Sequence, residues 1–588
     1  MILLLLVLVA TYAVDKNLTK AKTILVDDNK TVTRTELNST SRSSPITPLP
    51  SLPLIGRVDV IGGTAYDWVN GPVTTWCVND PTYGIHTTWQ WSNDPLFADR
   101  NMRYNFYDWS THTWSWLSGT SYMQYGIPVF PHTLSSVAGG ADVDPITGNF
   151  VICGQYTPTG QQRRPKLARD VSPGAGLFEY TESPPTWFWP FIAVDSNEAV
   201  HLAVINAVVP NETLYYSRCQ PWGTWSAYTR VCPPLDEPLG PTQNIQASHI
   251  SNKVIITWTH WRTSTLIDSG YYRLSNDGGQ TWQDPVALPF PPSTLDTPAF
   301  HIGGMFAHFD QNDNFHIVTQ IGTSYYWPAE IWHYCPTNNP AWSRVFLRDA
   351  DTIAVNGNCG YNTLCACRPS ITRNPSNNYL YATWECFDSL NFEPLTSKLR
   401  ADIWVAESRD NGLTWPRKTR ITTPDSTSKR FPVAGGVQVT PGPTPDTLIV
   451  MYLVDSIAGA FVQGEHRYCV NPIVCHFVPV PLPDAIEEGN PSNPIYNFAL
   501  NSAYPNPSNS ATKISYSVST TNNNVELTIY DVLGRPVRTL VNGTKSPGEY
   551  SANWDGRALS GEKVKAGVYF YTLKSSEKTI TKKLIITK

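Results

Sequence analysis

Charge is scarce in this chain of 588 residues: Asp, Glu, Lys and Arg make up 15% of it, and 43 basic side chains against 48 acidic ones leave a net charge of -5. No basic stripe runs along it, so the electrostatic footprint of a nucleic-acid binder is missing and no nucleic-acid partner is expected. Long apolar runs are scarce too. The one at the start, Ile2 to Ala10 in "MILLLLVLVATYAV", is far shorter than the roughly 20 residues a helical membrane span needs. It reads as a signal peptide over residues 1–13, and no transmembrane helix is expected in the mature chain. Metal patterns are also lacking. Cys359, Cys365, Cys367 and Cys386 form the densest cysteine group, but their spacing contains no paired Cys-x-x-Cys, so neither a metal nor a cofactor is expected. Eleven cysteines are an odd number; in an exported chain they are expected to form disulfides with at least one left over, the cluster of four forming disulfides or lying as buried thiols. A nucleophile elbow, a phosphate loop and a His-Glu-x-x-His zinc motif are all absent.

Aromatics and turn formers, in contrast, are abundant, with 21 Trp, 29 Tyr, 49 Pro and 37 Gly. Such punctuation throughout the length points to an all-β chain with many short strands. Residues 14–55 end in "STSRSSPITPLPSLPL", a Ser/Thr/Pro-rich spacer that cannot bury a core. From 56 to 481 one pattern repeats. Pairs of β runs around a polar turn, such as "FIAVDSNEAVHLAVI" and "MFAHFDQNDNFHIVTQI", alternate with second pairs often closed by Trp, such as "YYRLSNDGGQTW" and "IWVAESRDNGLTW". Asp195 precedes His201 and Asp310 precedes His316 at the same separation, which marks the copies as kin. About four strands per unit are the proportions of a β-propeller blade. Seven blades are expected, with six as the alternative if the weak first and last units share one blade.

Two octets, Ser275 to Trp282 and Ser408 to Trp415, fit Ser-x-Asp-x-Gly-x-Thr-Trp. Asp277 and Asp410 are suited to accept from their own turn amides, Gly279 and Gly412 to take positive φ, and Trp282 and Trp415 to pack between blades. A structural role is therefore expected for all of them, Ser275 and Ser408 included. These octets resemble the Asp-box, or BNR repeat, of sialidases and of many other propellers, with "CQPWGTW" and "STHTWSW" as degenerate relatives. In that family the box is structural.

After a linker at 482–495, residues 496–588 change character. Alternation in "VELTIYDV" and "VYFYTLKS" with turns at "LGRP" and "WDGR" predicts a small β-sandwich. Pro505, Asn506 and Pro507, then Gly534 and Arg535, then Trp554, Asp555 and Gly556, then Gly567 and Tyr569 resemble the type A sorting domain of the type IX secretion system. The segment is also similar to the immunoglobulin-like domain of flagellar hook-capping proteins. The resemblance implies the type IX machinery as partner, and a secreted or outer-surface location in a Gram-negative-type bacterium.

Three readings of the propeller compete. As a non-catalytic binder of an extracellular glycan or another surface ligand, it has candidates in Trp258, His260 and Arg262 of "WTHWR" and in Trp384 and Glu385 of "TWECFD", where aromatic faces stack and charged groups orient. As a sialidase-like glycosidase it needs an arginine cluster and a Tyr nucleophile with a carboxylate. Arg262, Arg368, Arg373 and Arg430 with Tyr452 and Glu385 are the material for that, but the Arg-Ile-Pro motif of sialidases is missing. As another hydrolase with paired carboxylates it has Asp195, Asp310, Glu385 and Asp455 to draw on. Binding is the preferred expectation.

Overall fold

The paired β runs close on Asx turns. Asp195 Oδ1 accepts from the N–H groups of Asn197 and Ala199 at 2.8 and 3.0 Å, and Asp310 Oδ1 from those of Asn312 and Asn314 at 2.8 Å each. A side-chain oxygen that satisfies two turn amides makes the reversal independent of the rest of the fold. Each hairpin then gains a third and a short fourth strand, and the sheets stack side by side around an axis.

The computed structural model describes residues 54–482 and 499–587, apart from short stretches, the longest of which are 69–73, 207–212, 233–241, 261–268 and 349–357. The expected signal peptide, almost all of the expected spacer and linker, Arg262, Pro505 and Pro507 lie outside the described residues. Two units separate, 1–483 and 484–588.

Among its described residues the first unit holds seven antiparallel sheets. Their inner strands are Cys77–Asp80, Ala141–Val143, Phe188–Val194, Asn244–Ala247, Ala299–Phe309, Ala366–Arg373 and Ser428–Gln438, of blades 1 to 7. Each inner strand touches the next, and Ser428–Gln438 meets Cys77–Asp80 to close the ring, with Asn79 Nδ2 donating to Gln438 Oε1 at 3.1 Å. Blade 7 borrows its outer strand from the other end of the propeller: Arg57–Thr64 pairs antiparallel with Asn471–Val480. Seven blades are therefore present, and the N-terminal run joins the last blade without merging it with the first. Radial repetition of this kind leaves only short, protected edges.

Aromatic and aliphatic side chains fill the gaps between blades, among them Trp89, Trp258 and Trp384, all buried. The expected disulfides do not form; only the alternative of buried thiols, given for the cluster of four, agrees with the structure. All eleven are free thiols, ten of them buried and Cys469 half-buried. Cys359, Cys365, Cys367 and Cys386 pack in one apolar cluster with Trp384 and Phe387, as small hydrophobes do.

The second unit is a two-sheet sandwich. Ala499–Leu500, Thr512–Val518 and Gly548–Trp554 form one sheet; Pro536–Lys545, Asn523–Asp531, Gly567–Lys574 and Thr579–Ile586 form the other, in that order. Ile514, Tyr516, Leu527, Ile529, Trp554, Tyr571 and Leu573 make its core. The motif residues are turns and staples of this sandwich. Asp531 Oδ1 accepts from the N–H groups of Leu533 and Arg535 at 2.9 Å each around Gly534, whose φ is +75°. Trp554 Nε1 donates to the Arg557 carbonyl at 2.9 Å across the Asp555-Gly556 turn. Tyr569 stacks edge-on against Trp554, and Asn506 bridges to the last strand through Lys583 and Ile585.

Candidate functional site

Both octets sit where the third strand of a blade turns into the fourth. Ser275 Oγ donates to Asp277 Oδ1 and accepts from the Gly279 N–H, both at 2.8 Å, while Asp277 accepts from Thr281 N–H and Oγ1 at 2.8 and 2.5 Å. The second copy repeats this with Ser408, Asp410, Gly412 and Thr414 within 0.1 Å. Each box docks on a buried polar chain of the preceding blade. Trp282 meets Tyr216 edge-on at 4.8 Å, and Tyr216 Oη lies 2.7 Å from His201 Nδ1, whose Nε2 is 3.1 Å from Asp195. Trp415 meets His333 at 5.4 Å, His333 Nε2 lies 2.9 Å from His316 Nδ1, and His316 reaches Asp310 at 3.5 Å. The Asp-box and the Asp-to-His repeat are thus two halves of one blade-to-blade joint. Asp195 and Asp310 are almost fully buried in it and face no cleft.

The opposite face, where inner strands begin and second strands end, holds most of the other candidates. There a second joint recurs. Gln155 Oε1 accepts from the Trp189 N–H at 2.8 Å, Gln320 Oε1 from the Arg368 N–H at 2.5 Å, and Glu385 Oε2 from the Phe431 N–H at 2.9 Å. Every recipient belongs to the next blade, has positive φ (+47°, +53° and +59°) and sits at a bulge just before a proline. Glu385 therefore stands where two other blades carry glutamine, and it latches blade 6 to blade 7.

Its charge is fully matched. Arg368 Nη1 donates to Glu385 Oε1 at 2.6 Å and Arg430 Nε to Oε2 at 3.0 Å. Burial raises the carboxyl pKa, but Arg430 and Arg368 more than reverse this and hold it at about 2. The three side chains are 0 to 3% exposed. Phe431 covers both guanidiniums, 4.9 Å from that of Arg368 and 4.8 Å from that of Arg430. Two of the four arginines do converge, then, but on a protein carboxylate instead of an open cleft. Arg373 lies at the far end of the Arg368 strand, near Asp310. Tyr452 is buried in blade 7 with its hydroxyl 3.4 Å from His476 Nδ1. Trp258, stacked on Tyr271, and Trp384, against Phe346, present no surface to solvent. His260 ends the second strand of blade 4.

A partly open polar cluster occurs instead on blade 2. Tyr156, at the end of Phe150–Tyr156, donates through its hydroxyl to Glu182 Oε1. Lys166 Nζ lies 3.4 Å from the same oxygen and Arg164 Nη1 3.6 Å from Oε2. The Lys166 ammonium stands 4.9 Å from the Tyr156 ring and 5.3 Å from that of Tyr180, while His132 stacks on Tyr156 at 4.3 Å. Tyr180 is 40% exposed and the Glu182 side chain 34%. Burial, together with Glu182, pushes the Tyr156 hydroxyl up to about 12, and at rest it is a hydrogen-bond donor to Glu182. Sequence reading missed this cluster because its members come from three strands and a loop. The signal within reach was the basic run Arg163, Arg164, Lys166 facing "FEYTE" across a predicted hairpin.

Residues 502–587 match the family model of the secretion system C-terminal sorting domain. The C-terminal sandwich is thus a type IX sorting domain, and the protein is secreted or carried to the outer surface. No curated protein matches the chain. Among solved structures, the polysaccharide lyase Uly1 aligns at 11% identity and TM-score 0.39, over 70% of this chain and 92% of that one. The Hadza microbial sialidase Hz136 aligns at 11% and 0.32, over 65% and 74%. The Penicillium chrysogenum α-L-arabinanase complexed with arabinobiose aligns at 12% and 0.32, over 57% and 92%. Similarity at this level carries no argument, and the blade count rests on the strand pairing described above.

Proposed function

We propose that the propeller binds an extracellular glycan through the blade 2 cluster of Tyr156, Tyr180, Lys166, Arg164 and Glu182, and that it acts as an exported binding protein. The observation that carries this reading is the exposed Tyr180 ring and partly exposed Glu182 carboxylate beside the more buried Lys166: an aromatic edge for a sugar face, flanked by a donor and an acceptor already held in place. The sialidase-like alternative draws less support. The two arginines that converge are committed to Glu385.

The test is binding of the purified chain to a broad glycan array, together with sugar release from the same panel. Wild-type protein is expected to retain a defined class of glycans and to release no sugar. Tyr180→Ala and Lys166→Ala should each weaken retention by up to about tenfold, the value of one aromatic contact or one partly exposed charge. Catalytic release would overturn the binding reading. Retention unchanged in both variants would move the site away from blade 2.

A further inference from the structure

The connection between the second and third strands of blade 7, residues 456–470, brings a mixed set of donors to one point. Asp455 ends the strand Asp446–Asp455, and one donor atom each from Asp455, His466 and Cys469 lies within 4.8 Å of the others. Asp455 is 1% exposed; its Oδ1 accepts from the Ile457 N–H at 3.1 Å, and its Oδ2 has no hydrogen-bond partner. From the other end of the propeller comes Asp67, 1% exposed, whose oxygens accept from the N–H groups of Phe461 and Val462 at 2.7 and 3.2 Å. Asp67 Oδ2 stands 3.0 Å from His466 Nε2.

His466 Nδ1 faces the Arg467 carbonyl at 2.7 Å. A ring nitrogen that donates to a backbone carbonyl fixes the tautomer and leaves the other nitrogen bare, the usual second shell of a ligating histidine. Here the bare nitrogen would face a carboxylate oxygen, acceptor against acceptor, unless positive charge lies between or on them. Arg430, the guanidinium that also bears on Asp455, is already committed to Glu385.

We propose that Asp455, His466 and Cys469 bind a divalent transition-metal ion, with Asp67 beside it. One nitrogen, one thiolate and carboxylate oxygen suit Zn2+. Bonds of roughly 2.0 to 2.3 Å at tetrahedral angles place ligand atoms about 3.3 to 3.8 Å apart, a span into which the observed separations contract with small side-chain movements. Bound there, the ion braces the connection of blade 7 against Asp67, in the segment just past the closing strand Arg57–Thr64, at the seam where the ring is closed. Only His466-x-x-Cys469 is local; the carboxylates come from another strand and the far end of the propeller, which is why no spacing motif announces the site.

The probe is Co2+ alone, added to the full chain after extraction with a chelator and reduction. One equivalent is expected to bind and to show a thiolate-to-cobalt charge-transfer band. Cys469→Ser should abolish that band. His466→Ala should weaken Co2+ binding by about tenfold or more, and Zn2+ should raise the melting temperature of the wild type but not of the variants. Should His466→Ala fail to fold, Cys469→Ser, at a half-buried position, still carries the test. A folded wild-type chain that takes up no Co2+, or a Cys469→Ser chain that keeps the band, would overturn the proposal and leave a proton-filled pair in its place.

Discussion

Single glycines separate the two reasons for which this fold uses them. Gly412 has φ +79°, and a Cβ placed on it would lie 2.1 Å from the His333 ring. Gly534 has nearly the same φ, +75°, and a Cβ there would meet nothing within 4 Å. Gly534→Ala should therefore lose only the backbone preference, about 1 kcal/mol. Gly412→Ala adds a clash with a packed imidazole in the blade 5 to blade 6 joint and should lose clearly more, about 3 kcal/mol or above. Chemical denaturation of both variants, each unit followed by its own transition, checks the difference. Equal losses would mean that the joint yields freely.

Between elements, the recurring unit is the latch from the end of one blade's second strand to the bulge of the next. Glu385→Gln is informative because Gln155 and Gln320 show that an amide oxygen makes the same contact. The variant should keep the bond to the Phe431 N–H yet leave Arg368 and Arg430 buried without a counter-charge. Loss of one partner from such a group typically destabilises by about 3 to 5 kcal/mol. Replacing Arg368 and Arg430 by Met in the same background should recover most of it. A Glu385→Gln chain as stable as wild type would show that the latch, and not the charge, is what Glu385 contributes.

At the scale of the whole molecule, all 12 histidines fall in the propeller and none in residues 484–588. Burial holds His86 and His308 at about 3 and His476 at about 4, against about 6.5 in an unfolded chain. With the folded value depressed, the unfolded chain binds more protons below about pH 6.5, so this stability is present above that pH and is lost as pH falls toward 4 and 3. His316 is shifted the other way, upward, because Asp310 outweighs its burial; its contribution is present in acid and lost as pH rises. The depressed group is the larger. Mild acid should therefore lower the propeller's unfolding midpoint well before it touches the sandwich, and two separate transitions by calorimetry at neutral and acidic pH would show it. A sandwich that weakens in step with the propeller over that range would contradict the assignment.

What could be read along the chain was local. Strand alternation, Asx turns such as those at Asp195 and Asp310, the octet's turn geometry and the sorting motif all depend on neighbours a few residues apart, so the class of fold and the second unit were legible before any coordinates. Blade closure was half legible: the weak terminal units pointed to shared pairing, but the register of Arg57–Thr64 on Asn471–Val480 depends on contacts some 400 residues apart in the chain. The sites were not legible. Glu385 and Trp384 look alike in sequence to ligand-binding residues on a strand end, and only packing shows that one is spent between two guanidiniums and the other is interior. Tyr156 with Glu182 and Lys166 is assembled by the pairing of three strands within blade 2, and Asp67 is brought to Asp455, His466 and Cys469 by closure of the ring. Proximity across blades leaves no periodic trace in a sequence, because it is set by how sheets stack and not by how any one strand is built.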